Sequence, residues 1–188
     1  VEPAEFDHLK RFGEALGNDP LKLRHIIEPT RNLLDFARSK GIHVIYTCEG
    51  HRSNLADLTP LKASKCATQS IRGQWGNEII PELTPRENDT IIDKPGKGAF
   101  YSSDLELVLQ NLSVDTLLVC GVTTEICVHS TVREANDRGF QCIVMRDCTA
   151  SYFEDFHSVG LAMIEAQNGI LGTVTDSKSW MAQTQHMT

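Results

Sequence analysis

Along this chain, short apolar runs alternate with stretches whose apolar residues recur every three or four positions. The runs are HVIYTC (43–48), TIID (90–93), TLLVC (116–120), CIVM (142–145) and ILGTV (170–174). They are apolar almost continuously and do not alternate strictly. Strands of a parallel sheet covered on both faces read this way. Between them, 30–40 places Leu33, Leu34 and Ala37 on one face and stops at Gly41. The segment 102–112 repeats Leu105, Leu109 and Leu112, with Asp104 and Glu106 in its first turn. A third helix is predicted over 123–138, ended by Gly139. A fourth is predicted over 154–167 before Gly169, and a fifth over 177–185. Strand and helix in alternation predict βαβ units and a mostly parallel, doubly wound sheet.

The segment 49–76, EGHRSNLADLTPLKASKCATQSIRGQWG, is long, polar and rich in turn residues. A loop of that length in a compact domain is usually functional. No repeat or linker divides the 188 residues, so one domain spanning 1–188 is expected. A net charge of −7 without a basic run argues against nucleic acid or an anionic membrane as partner. No apolar run approaches the roughly 18 residues of a membrane span. The six cysteines form no CxxC pair, and three of them (Cys48, Cys120, Cys142) lie in or beside strand runs. That pattern predicts a reduced, cytoplasmic protein.

In open α/β sheets, ligands bind outside the carboxyl ends of the strands. This chain places Glu49, His51 and Arg52 after its first run. Lys94 and Lys97 come after the second, and Thr123, Thr124 and Cys127 after the third. Thr123 is a suitable N-cap, which puts Cys127 in the first helical turn beside free N–H groups and the positive end of the helix dipole. Such placement, with Lys94 nearby, lowers a thiol pKa from about 8.5 toward 7 or below. The N–H groups could then hold an oxyanion. Read alone, Cys127 also fits a small core residue.

The stretches GVTTEICVHSTVREANDRGF and DKPGKGAFYSSDL resemble the isochorismatase-like cysteine hydrolases. The resemblance runs on through EGHRSNLADL, RGQWGNEIIPEL, DCTASYF and AQNGILGTV, nearly the whole chain. Within that family, EGHR…DL, IIDKPGKGAF and TTEICV…REANDRG are most similar to the biuret hydrolase branch and its ureidoacrylate and carbamoyl-amide relatives. The resemblance implies a three-layer α/β/α, Rossmann-like fold and an Asp–Lys–Cys triad. Cys127 would be the nucleophile and Lys94 the lysine. A cis peptide would join Val122 to Thr123 and turn the Thr123 N–H toward that of Cys127, making an oxyanion hole. Lys97 would meet a substrate carbonyl or carboxylate. Gln167 would hydrogen-bond a ureido group, and Glu49 would accept from a terminal NH2. The implied substrate is a small ureido or amide compound such as biuret, with ammonia released and a thioester formed on Cys127. Ureidoacrylate or an N-carbamoyl amino acid is the alternative substrate. A catalytically silent member acting by binding or assembly is the alternative function.

Two features depart from the family's pattern. Its D-x-Q-x-D-F motif, which carries the triad aspartate on a central first strand, has no counterpart here. The chain begins VEPAEF, which resembles the family's sequence immediately after that motif, so the aspartate and first strand are expected upstream of residue 1. The Asp-x-His metal motif of nicotinamidases is reduced to His51 in CEGHRSNLADL, so neither metal nor any other cofactor is expected. True isochorismatases lack the cysteine, which argues against that activity here. Homo-oligomers are common in the family and are expected.

Overall fold

The apolar runs do become strands, and the reason shows in how their side chains divide. The computed structural model describes residues 17–65, 70–74 and 77–185. Strands β1 (Ile45–Glu49) and β2 (Thr90–Lys94) pair in parallel, in register from Ile45↔Thr90 to Glu49↔Lys94. Strands β3 (Thr116–Val122), β4 (Gln141–Ala150) and β5 (Thr173–Thr175) form a second parallel sheet in the order β3–β4–β5. Successive side chains of a strand point to opposite faces. Leu117 and Val119 of β3, with Cys142 and Val144 of β4, enter one apolar cluster. Their neighbours Leu118, Cys120, Ile143 and Met145 enter another.

Helices cover both faces. On the first lie α3 (Leu105–Asn111), α4 (His129–Asp137) and α5 (Glu154–Gly169), contributing Leu105, Leu109, Val132, Ala135, Leu161 and Ile164. On the second lie α1 (Ile27–Ser39), through Leu33, and α6 (Ser177–Thr184), through Trp180 and Met181. The result is three layers, α/β/α. Each fully buried Val or Ile side chain adds about 1.5–3 kcal/mol to this packing. Among the described helices none is long and apolar enough to cross a membrane.

Several expectations change. The single sheet is two: among the described residues no strand pairs with the free edge of β1 or of β3, although Ile45 and Ile92 share a core with Val119. β4 runs ten residues, because the polar RDC of 146–148 belongs to a register shift opposite Val119–Gly121 and does not end the strand. β5 starts only at Thr173, since Ile170 and Gly172 close turns on Ala166 and Gly169. α1 begins at Ile27 after a 3-10 turn, Pro20–Ile26, that Asp19 caps through the Leu21 N–H. α3 is shorter than expected because Ser102 takes a positive φ of 51°. The long loop contains a short helix, α2 (Pro60–Lys65). The expectations for Cys66, for Trp75–Gly76 and for the opening VEPAEF lie outside the described residues.

Candidate active site

The carboxyl ends of β1, β2 and β3 converge on one place. Glu49 and Lys94 are the last residues of β1 and β2 and are register partners, so their side chains leave the sheet together. Lys94 is 3 % exposed. Its ammonium donates to the carbonyls of Gly96 and Lys97, each at 2.8 Å, and lies 3.8 Å from Glu49 Oε2. A buried charge needs such partners. The loop after β2 therefore wraps the lysine with its own backbone. The loop after β1 is held as firmly: Gly50 N–H donates to Lys94 O at 2.9 Å, Asn77 Nδ2 to Glu49 O at 3.0 Å and Arg72 Nε to Gly50 O at 2.8 Å.

The third strand delivers Cys127. The expected α-helix over 123–138 opens as a π turn, Thr124–Val128, and becomes α only at His129. Such turns occur often at functional sites. The peptide bond between Val122 and Thr123 is cis, and Gly121 before it has a φ of 120°, which a side chain would resist. Thr123 stands at the N-cap position, but its hydroxyl makes no capping bond. What closes the turn is its carbonyl, which accepts from both Ile126 and Val128 at 3.2 Å. Gly160 of α5 lets that helix lie on the π turn: a Cβ there would come within 3.3 Å of Thr124 Cγ2.

Cys127 Sγ lies 3.8 Å from Glu49 Oε2, to which it donates. Lys97 Nζ donates to Glu49 Oε1 at 2.7 Å. Four of the expected residues (Glu49, Lys94, Lys97, Cys127) thus form one cluster, with the Thr123 backbone beside it. The expected thiol pKa is corrected. Burial pushes the Cys127 thiol up. Lys94 draws it down, Glu49 pushes it up again, and Lys97 and the Thr123 N–H draw it down. The balance is a raised value, because desolvation outweighs two cations when a carboxylate stands between them. The resting group is a thiol.

Gln167 is reached from α5. It lies in the exposed end of α5, where Ala166–Asn168 leave helical geometry and Gln167 takes a φ of 54°. His51 faces inward as a structural group, with Nδ1 3.3 Å from Asp57 Oδ1, and Asp57 also accepts from Arg72 and the Arg52 N–H. Among the described residues no three His, Cys, Asp or Glu side chains are grouped to hold a metal ion.

One positioning residue escaped the sequence reading. Thr131 Oγ1 donates to Cys127 O at 2.7 Å and accepts from Ala99 N–H at 3.0 Å, tying the nucleophile's helix to the lysine loop. The first bond is local, a threonine habit at i−4. The second joins residues 32 apart and has no signal in the sequence.

A carboxylate, two lysines and a thiol at the carboxyl ends of parallel strands can attack a polarised carbonyl and move a proton. Known proteins share the family and the fold. The profile of the isochorismatase domain family matches residues 7–178. The chain belongs to the isochorismatase family. It is 25% identical over 187 residues to a ureidoacrylate amidohydrolase, RutB, of Acinetobacter baylyi, covering 90% of this chain and 75% of that one. It is 36% identical over 87 residues to an uncharacterized isochorismatase family protein, YwoC, of Bacillus subtilis, a match spanning 46% of each chain. The fold matches a cysteine hydrolase from Pseudomonas syringae pv. phaseolicola with a TM-score of 0.77 at 25% identity, covering 86% of this chain and 80% of that one. The chain thus spans under half the length of one curated relative and three quarters of another.

Proposed function

We propose that this isochorismatase-family chain is a cysteine-dependent amidohydrolase that releases ammonia from a small ureido or amide compound through a thioester on Cys127. The observation that carries the reading is Cys127 Sγ within 3.8 Å of a carboxylate that two lysines also approach. Sulfur adds to the ureido carbonyl, and the backbone N–H groups of Thr123 and Cys127 hold the oxyanion. Nitrogen leaves protonated, and water hydrolyses the thioester. Lys94 stabilises the developing negative charge, and Lys97, half exposed at the mouth, meets a carbonyl or carboxylate of the substrate. No metal or other cofactor has a step in this scheme.

Biuret suits the sequence motifs. Ureidoacrylate or an N-carbamoyl amino acid suits Lys97 equally, and the first of these is what the Acinetobacter relative is named for. The test is ammonia release from biuret, ureidoacrylate and an N-carbamoyl amino acid, beside Cys127→Ala. Release lost in the variant supports the reading, and the best substrate selects the branch. Release that survives the variant overturns the thioester on Cys127, and a wild type inert on all three favours a silent member.

We also propose a homo-oligomer. Phe156, Val159 and Met163 of α5 are each about half exposed on one helix face. With Glu125, Asp155 and Arg133 they border a groove of about 460 Å³. Both charge signs flank the apolar strip, so the same patch on a second copy presents opposite charges across a two-fold axis. Val159→Glu should lower the mass found by sedimentation velocity, and an unchanged mass would sink the idea. The five described cysteines are free, which suits the reducing cytoplasm as the setting.

A further inference from the structure

Two residues of α5, three apart, grip the same threonine of the π turn. Thr124 opens that turn and is fully buried. Its Cγ2 methyl lies against Gly160, where a Cβ would come within 3.3 Å. Its Oγ1 is 2.8 Å from Nδ1 of His157. Residues three and four apart share a helix face, so His157 continues the stripe of Gly160, Leu161 and Ile164. Leu161 and Ile164 enter the apolar core. The stripe thus ends in an imidazole just where α5 begins, after the carboxyl end of β4.

The ring is half-buried. Burial draws its pKa down, Glu154 raises it, His25 and Arg146 lower it and Glu125 raises it, and the balance lies below the ordinary value. The ring is therefore neutral near pH 7, and its Nδ1 meets the hydroxyl as donor or acceptor according to tautomer. Thr124 follows Thr123, whose carbonyl accepts from Ile126 and Val128 and so closes the turn on both sides of Cys127. A rotation at Thr124 would move that carbonyl, the Thr123 N–H and the sulfur together.

We propose that His157 is a positioning residue: by holding the Thr124 hydroxyl it fixes the π turn, and with it Cys127 and the N–H groups that receive the oxyanion. The ring acts through Thr124 and takes no part in the chemistry. Its effect on turnover rests on the amidohydrolase reading, and its effect on the thiol does not.

The experiment compares wild type with Cys127→Ala, His157→Ala, His157→Asn, His157→Gln, Thr124→Val and the double variant His157→Ala/Thr124→Val. Each is assayed for kcat and KM on biuret, ureidoacrylate and an N-carbamoyl amino acid. Iodoacetamide alkylation of Cys127 near neutral pH is followed by peptide mass. Asparagine puts an amide atom where Nδ1 lies, and glutamine puts its amide nearer the place of Nε2. His157→Ala and Thr124→Val should each cut kcat about 10- to 100-fold with KM little changed, as a misplacement approaching 1 Å would. His157→Asn should return kcat to within about threefold of wild type, and His157→Gln should not. The double variant should be no worse than the worse single one, since both break one bond. Alkylation should be at least about threefold faster wherever the bond is lost, because a loosened turn lets water reach a thiol whose proton burial retains.

A histidine that only fills space would leave His157→Asn and His157→Gln with the same kcat, and that result overturns the proposal. His157→Ala within about threefold of wild type, or a double variant whose losses multiply, also overturns it; with Cys127→Ala inactive, the amidohydrolase then stands. Should His157→Ala fail to fold, the asparagine and glutamine variants carry the test. Turnover surviving in Cys127→Ala, or a wild type inert on all three substrates, overturns the amidohydrolase reading and leaves alkylation to decide. Equal alkylation rates in wild type, His157→Asn and His157→Gln would then sink the role of His157.

Discussion

Replacing Thr131 with valine removes one oxygen and little volume, so it isolates the tie between the nucleophile's helix and the lysine loop. In the wild type, Oγ1 donates to Cys127 O and accepts from the N–H of Ala99, a residue 2 % exposed. The variant loses both bonds and leaves the Ala99 N–H buried without a partner. A typical intramolecular bond is worth about 0.5–1.5 kcal/mol net, and a stranded buried donor costs about 1–3 kcal/mol. The two losses overlap, so about 2 kcal/mol is the expected destabilisation. For a chain of this size each kcal/mol lowers Tm by about 2–4 °C, which puts the shift near 4–8 °C by calorimetry. Catalysis should suffer as well, because the Ala99 end belongs to the loop that wraps Lys94. Displacing such groups by about 1 Å can cost up to 10²-fold. Thr131→Ser, which restores the hydroxyl, should recover most of both quantities. A Thr131→Val protein melting within 1 °C of wild type (on the scale of about 2–4 °C per kcal/mol) would refute the reasoning, and normal kcat would show that the tie does not position the site.

The same geometry sets three further outcomes. Lys94→Met should raise the Cys127 pKa further, since Lys94 draws it down; alkylation across pH 6–11 should shift to higher pH (the free-thiol reference is about 8.5), and a shift to lower pH would contradict the assigned electrostatics. For Asp89, burial pushes the carboxyl up, but the Arg38 guanidinium and the Arg86 N–H outweigh it and hold the value below normal. A depressed folded value means stability present above the ordinary aspartate pKa of about 3.9 and lost as pH falls through that region. Asp89→Asn should therefore lower Tm at pH 7 and flatten its acid dependence, and an unaltered acid limb in the melting curves would remove Asp89 from the account. Gly160→Ala should cost about 1 kcal/mol net, since a contact at 3.3 Å with Thr124 opposes a helix gain of about 1 kcal/mol; a raised Tm would show that the π turn yields freely.

The sequence by itself determined the order of strands and helices, because apolar runs and helical repeats are local signals. It also placed Glu49, Lys94, Lys97 and Cys127 at strand ends, and in a parallel sheet strand ends share a rim. Tertiary structure decided the rest. The thiol's raised pKa depends on burial and on a carboxylate 78 positions away in sequence, and neither belongs to the helix-dipole argument. The π turn lies against Gly160 of α5, a contact between distant segments that no periodicity announces. The break from helical geometry at Ala166–Asn168, with Gln167 at a φ of 54°, interrupts a segment whose apolar spacing reads as an unbroken helix. The length of β4 was hidden because a polar stretch that reads as a strand end is a shift in register. Local order is written in the spacing of side chains. Protonation and proximity belong to the space that distant segments enclose.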